Sequence, residues 1–264
     1  MHGTATDQRK GKLERPSFDN FKSFIVSIKY MRIIVSEGIL EKYSDNTIGI
    51  IIARDLTVAE RSGELEALKK KVIDSVLAKY QIESLANHPY LAAWRSQYES
   101  FGVSVKKRQP SSETLIRKVL SGQGLPVINT LVDTSNVSCL MHFLPTGVYD
   151  LDKIKGNVYI RYANDNDLFT PIGGRETEKP QLGEVVYADE EKVLTRRWNY
   201  RDSEYVKATV ATKNAYLSIE GAKDVPEKSV EDAIQQLAEL VTRFCGGKTE
   251  IKLENLRRIN DWSF

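Results

Sequence analysis

The chain has 264 residues, 41% of them hydrophobic and 28% charged, with a formal net charge of +2 and two cysteines. That length buries a core without covalent staples, in one large domain or two small ones. The cysteine count excludes a disulfide-framed secreted scaffold, and Cys139 and Cys245 suit a reducing cytoplasm.

The charge is unevenly spread. Residues 1–30 carry a surplus of +3, which leaves −1 for the remainder. A near-neutral body argues against a grip on long nucleic acid through many phosphates, and it permits a small basic site for a short nucleic-acid end. No apolar run reaches the roughly 18 residues a membrane helix needs. "SFIVSIKYMRIIV" (23–35) is broken by Ser and Lys and does not read as a signal peptide.

Residues 1–17 are polar and basic and read as disordered. "MRIIVSEGIL" opens a domain expected to span 31–264, with residues 1–30 as an extension or a non-native addition. "NTIGIIIARDL" (46–56) is a β-branched run that predicts a buried strand. Leu65, Leu68, Val72, Val76 and Tyr80 recur at helical spacing and predict a helix over 63–80, with "KKK" (69–71) on its solvated face.

Pro89 marks the next helix start and Gly102 its end. Ser112 is expected to cap "ETLIRKVL", which Gly122 closes. Residues 125–143 read as a further, mostly buried helix. After Pro145 the texture changes to short β-rich segments: "GNVYIRYA", "EVVYADE", "KVLTRRW" and "NAYLSIEG". A last amphipathic helix begins at Ser229, carries Ile234, Leu237, Val241 and Phe244 on one face, and stops at Gly246-Gly247. The fold class is α+β: helices in the first half, a mixed β-sheet in the second half and a closing C-terminal helix.

The chemistry inventory is short. Of three histidines, His2 lies in the tail, His88 precedes Pro89, and His142 sits in an apolar helix as a satisfied core residue. Cys139 and His142 supply two ligands where zinc wants three or four, so no metal is expected. "IGGRETE" (172–178) lacks the lysine and helix of a phosphate loop and reads as a hairpin turn. There is no nucleophile elbow and no dinucleotide fingerprint, so no cofactor is expected.

One segment stands out, "RRWNYRDSE" (196–204). If 193–201 is a strand, Arg196, Trp198 and Tyr200 share one face and Arg197, Asn199 and Arg201 the other. One face then offers aromatic surface and the other holds phosphates or an ester oxygen. Alternatively Trp198 and Tyr200 are core, and the arginines pair with Asp202, Glu204 and surface acids. Both readings stay open on the residues alone.

Two longer stretches carry a family likeness. In 131–174 the matching words are Val132, Asp133, Ser135 and Asn136, then Tyr149 to Lys153, then Phe169, Thr170 and Gly174. In 183–221 they are Val186, Ala188 and Asp189, then Thr212, Lys213 and Asn214. Together these resemble the B3/B4 domain of the phenylalanyl-tRNA synthetase β subunit, standing here without a synthetase catalytic domain. The resemblance implies a B3/B4-like fold, a cytoplasmic role in translation fidelity and a charged tRNA 3′ end as partner. It also implies an editing pocket. The family's editing histidine falls on Gly147, and its glutamate, in a "GGExS" segment, falls on Arg201.

Within that frame the chain reads as a trans-editing deacylase. Asp202 or Glu204 would orient water, and Arg197 and Arg201 would stabilise the oxyanion. Trp198 would stack the terminal adenosine, with Arg196 and Tyr200 beside it. Asn199, Asn136 and Thr212 would give the pocket its polarity. The alternatives are a non-catalytic tRNA- or RNA-binding module and a free amino-acid binder.

Overall fold

The computed structural model describes residues 24–28 and 31–259. Two sheets meet face to face, and helices cover the far side of the second. The first sheet holds β1 (Phe24–Ile28), β2 (Met31–Val35), β5 (Val158–Tyr162), β6 (Val185–Ala188), β7 (Val193–Arg196) and β8 (Arg201–Asp202), in that spatial order. The β2–β5 pair is parallel and the other pairs are antiparallel. The second sheet is antiparallel throughout, in the order β10 (Lys248–Asn255), β3 (Thr47–Arg54), β9 (Ala215–Gly221) and β4 (Thr146–Asp150).

The unbroken apolar run of β3 follows from this position. Ile48, Ile50 and Ile52 pack toward the first sheet with Ile33, Ile160, Tyr187 and Leu194. Ile51 and Ala53 face α6 (Glu227–Cys245) through Ile234, Leu237 and Val241. A strand covered on both faces loses the period-2 alternation of a half-exposed one. Each fully buried aliphatic side chain in this layer contributes roughly 1.5–3 kcal/mol.

A third cluster joins α2 (Gly63–Lys79), α3 (Pro89–Ser100), α4 (Ser111–Leu120) and α5 (Thr130–His142) through Leu65, Leu91, Ile116, Val137 and Leu140. The expected α+β layout holds. The helix expected to close the chain is followed by β10, which pairs along the whole of β3. The first helix among the described residues, α1 (Glu37–Tyr43), packs Tyr43 into the core between the sheets.

Several local expectations are corrected. The helix expected over 125–143 begins at Thr130, because the Asn129 side chain accepts from Val132 N at 3.0 Å and caps it. Ser112 is not a cap: α4 starts one residue earlier, after Pro110. The closing helix starts at Glu227 rather than Ser229. Lys69 is not solvated; it is buried and ion-paired to Asp133 at 2.9 Å and Glu66 at 3.0 Å, while Lys70 is exposed.

Other expectations fit. Gly102 and Gly122 stand at positive φ beyond α3 and α4. The turn through 172–178 is closed by reciprocal backbone bonds between Phe169 and Glu178. His142 is satisfied, with its Nε2 2.7 Å from Gln236 Oε1, but it is half-buried at the end of α5 and not a core residue. The readings of residues 1–23, His2 included, lie outside the described residues. Phe24–Ile28, within the expected extension, pairs with β2.

Candidate functional site

The pocket of interest opens where the ends of both sheets converge. On β4 and β9 the register sets Gly147 opposite Ser218 and Tyr149 opposite Tyr216. Alternation then places Gly147, Tyr149, Ser218 and Glu220 on one face, toward the first sheet. From that sheet β7 brings Thr195 and β8 brings Asp202, which are register partners.

The link between β7 and β8 decides what "RRWNYRDSE" does. The strand expected over 193–201 ends at Arg196, because Arg197 and Trp198 both take left-handed backbone, with φ of 49° and 67°. Tyr200 N donates to Arg196 O at 3.0 Å, and the chain turns back as β8. The predicted two-faced strand is therefore absent.

Trp198 is 1% exposed and packs edge-on against Tyr43, with ring centroids 5.0 Å apart, and against Trp94 at 5.9 Å. A ring wedged among core aromatics offers no free face for an adenine. Arg196 is also buried: its Nε donates to Glu184 Oε1 at 2.6 Å and its Nη1 to Glu178 Oε2 at 2.5 Å. Arg197 Nε lies 3.2 Å from Glu184 Oε2. The core reading holds for Trp198, but these two arginines pair with Glu184 and Glu178 instead of Asp202 and Glu204.

Gly147, Tyr149, Trp198, Asn199, Tyr200, Arg201, Asp202, Ser218 and Glu220 all contribute to the pocket wall, with Ser111 and Pro145–Thr146 at its edge. Its cavity volume is small, about 80 Å³. Arg196 and Arg197 line an adjoining cleft that shares Tyr200 and Arg201. Three proposed site residues line neither. Glu204 accepts from Gly173 N at 2.9 Å and pairs with Lys207. Thr212 is buried and donates to Asp150 Oδ2 at 2.8 Å. Asn136 is half-buried on α5.

Two hydrogen-bonded chains cross the pocket floor. In the first, Tyr149 Oη lies 2.6 Å from Thr195 Oγ1, and Thr195 donates to Asp202 Oδ1 at 2.8 Å. In the second, Tyr98 donates to Asn199 Oδ1 at 2.8 Å, Asn199 Nδ2 donates to Glu220 Oε2 at 3.3 Å, and Tyr187 donates to Glu220 Oε1.

Asp202 is partly exposed as a residue, yet its carboxyl group is surrounded by protein. Burial outweighs the bonds from Thr195 and Tyr149 and pushes it up to about 6. Burial likewise pushes Glu220 up to about 7, against the bonds from Tyr187 and Asn199. The same desolvation raises the Tyr98, Tyr149 and Tyr187 hydroxyls well above their ordinary range, so they remain donors. Two carboxyl groups that titrate near neutrality, in one pocket, can accept and return protons.

The sequence reading missed Thr195, Ser218 and Glu220, and gave Tyr149 no role. One signal was present: in "AYLSIEG" the residues at 216, 218 and 220 are polar at period 2 within an otherwise apolar strand. Among the described residues no group of three or more His, Cys, Asp or Glu could hold a metal ion, and no helix is long and apolar enough to cross a membrane.

Residues 93–246 match the family model of the B3/4 domain, which covers more than half of the chain. The chain belongs to the B3/4 domain family. The matched span of this B3/4 domain contains the whole pocket wall. Among curated proteins, the phenylalanine–tRNA ligase beta subunit of Brucella melitensis biotype 1 is 29% identical over 174 residues, 64% of this chain and 20% of that protein. The corresponding subunit of Fusobacterium nucleatum is 34% identical over 79 residues, 30% of this chain and 10% of that protein. The chain thus spans a tenth to a fifth of the length of these relatives. Among solved structures, an N-terminal fragment of the phenylalanyl-tRNA synthetase beta subunit from Pyrococcus horikoshii aligns over 86% of this chain and 53% of its own. Its TM-score is 0.42, at 15% identity.

Gly147 has no room for a side chain in this B3/4 domain. An added Cβ would meet Tyr149 Oη at 2.7 Å and Ser218 Oγ at 2.9 Å.

Proposed function

We propose that this B3/4 domain binds the aminoacylated 3′ end of a tRNA and hydrolyses the ester in the pocket between its sheets. The observation that carries this reading is the pair of buried carboxyl groups, Asp202 at about 6 and Glu220 at about 7, lining one pocket with Arg201 at its exposed rim. The likeness to tRNA ligase beta subunits supports a tRNA as the carrier of the ester.

In this mechanism a water attacks the ester carbonyl while Asp202 accepts its proton. The Arg201 guanidinium faces the oxygen on which negative charge develops. The tetrahedral intermediate collapses with cleavage of the bond to the ribose oxygen, which takes the proton back from Asp202. The products are a free amino acid and an uncharged tRNA. The hydroxyls of Tyr149 and Ser218 and the Asn199 amide give the pocket hydrogen-bonding groups for a polar amino-acid side chain. Glu204, Thr212 and Asn136 take no part, since they line neither cleft.

A second reading, RNA binding without hydrolysis, is favoured by Gly147, whose side-chain space Tyr149 fills. Incubation with tRNAs charged with each of the twenty amino acids separates the two. Hydrolysis predicts release of one or a few amino acids, reduced about 100-fold or more by Asp202→Asn. Release of none, with retained tRNA binding, leaves the second reading standing.

A further inference from the structure

The cleft adjoining the pocket is lined by four arginines, Arg108, Arg196, Arg197 and Arg201, with Tyr200, Phe169 and Glu178. Their acidic partners are few. Arg196 takes up Glu178 and most of Glu184, and Arg197 has only a share of Glu184. Among the described residues no carboxylate pairs with Arg108 or Arg201, so the cleft carries excess positive charge.

The cleft runs from exposed Arg201 and half-buried Arg108 down to buried Arg197. Arg197 is 4% exposed, and its Nε, although near Glu184, makes no hydrogen bond. The guanidiniums of Arg197 and Arg201 lie 5.2 and 5.5 Å from the Tyr200 ring centre. Burial pushes the Arg197 guanidinium below its ordinary value, Glu184 opposes this, and repulsion from Arg196 and Arg108 adds to it. Like charges gathered in one cleft repel one another unless an anion offsets them.

The geometry points to a phosphate-binding site in which Arg108, Arg197 and Arg201 hold the phosphate of a nucleotide whose ribose enters the adjoining pocket. Guanidinium groups suit phosphate because their parallel N–H groups bond two oxygens at once. The two clefts share Tyr200 and Arg201, so a ribose at the pocket mouth and its own phosphate reach both. Arg108 comes from the loop between α3 and α4, "KKRQP", which lies inside the span matched by the family model. The RNA source of that phosphate rests on the proposed action at a tRNA 3′ end; the phosphate chemistry does not.

Isothermal titration of wild type, Arg108→Gln and Arg108→Lys against a short oligoribonucleotide ending in CCA, AMP, inorganic phosphate and adenosine tests the site. We expect Arg108→Gln to weaken the oligonucleotide about tenfold and leave adenosine unchanged, with Arg108→Lys recovering part of the loss. The slope of log affinity against log salt becomes shallower by about 0.7 in Arg108→Gln. Unchanged oligonucleotide affinity and salt slope in Arg108→Gln overturn the site. If AMP or inorganic phosphate binds as tightly as the oligonucleotide, with the same loss in Arg108→Gln, the site stands for a free phosphate compound and the RNA source falls. Ester hydrolysis with the same KM in wild type and Arg108→Gln overturns the site while the deacylase reading stands.

Discussion

The Tyr149 hydroxyl sits over Gly147, and a Cβ at position 147 would meet it at 2.7 Å. The same hydroxyl anchors the chain through Thr195 to Asp202, so the bare Cα of Gly147 keeps that chain in register. Gly147→Ala should displace Tyr149, cost about 1–3 kcal/mol in urea denaturation, and lower kcat for ester release. Tyr149→Phe removes the nearest clashing atom and leaves Tyr149 Cε2 and Ser218 Oγ at 2.9 Å, so the double variant should be modestly more stable than the sum of the two single effects. Strict additivity would show that the Tyr149 hydroxyl does not compete with a side chain at 147 for this space.

The two raised carboxyl groups make stability and activity respond oppositely to pH. Between about pH 4 and 7 the folded protein retains protons on Asp202 and Glu220 that the unfolded chain has already released, since their ordinary values are 3.8 and 4.5. Their contribution to stability is therefore full below about pH 4 and is lost as pH rises through 6 and 7. Asp202→Asn and Glu220→Gln should each flatten that decline in urea titrations from pH 4.5 to 7.5. The hydrolytic rate should rise over the same interval with an apparent pKa near 6. A rate independent of pH from 5 to 8 would remove Asp202 from the role of base.

Trp198 belongs to the aromatic core with Tyr43 and Trp94. Trp198→Ala should cost about 3–5 kcal/mol of stability. Trp198→Phe, milder in volume, should leave oligonucleotide affinity within twofold of wild type once folding is matched. A large loss of affinity in a fully folded Trp198→Phe protein would restore the stacking role.

Lys69 and Asp133 form a buried ion pair between α2 and α5, both under 5% exposed. Lys69→Met leaves a buried carboxylate beside an apolar chain and should cost about 3–5 kcal/mol. Pairing it with Asp133→Leu should recover much of that loss. Thermal melts of the three variants measure this directly, and an unaffected Lys69→Met would mean that water or another cation reaches Asp133.

What was legible in the sequence was what one element states by itself. The apolar run of β3 and the helical spacing of α2 and α6 are local patterns, and the family motifs supplied the assembly. Of "RRWNYRDSE", the sequence located Arg201 and Asp202 in the pocket but misread the backbone. Two consecutive non-glycine residues at positive φ leave no compositional mark, because the buried Trp198 side chain and the Arg197–Glu184 pair hold that turn. Lys69 was misread for a similar reason: its solvent is replaced by an acid 64 positions away. Glu220 was missed because its partners Tyr187 and Asn199 arrive from the other sheet.

β3 stands between β9 and β10, and the side chain of Asn255 bonds that of Thr47 across 208 positions of sequence. Tyr98 and Asn199, joined across the pocket floor, are 101 positions apart. Closing such loops costs entropy before any contact repays it, which places this topology among slower folders, on the order of milliseconds to seconds. On the ribosome, β3 emerges with both hydrogen-bonding edges open, and its neighbours β9 and β10 follow only from Ala215 and Lys248. A run of isoleucines left uncovered for that interval is where a nascent chain pairs with the wrong strand or recruits a chaperone.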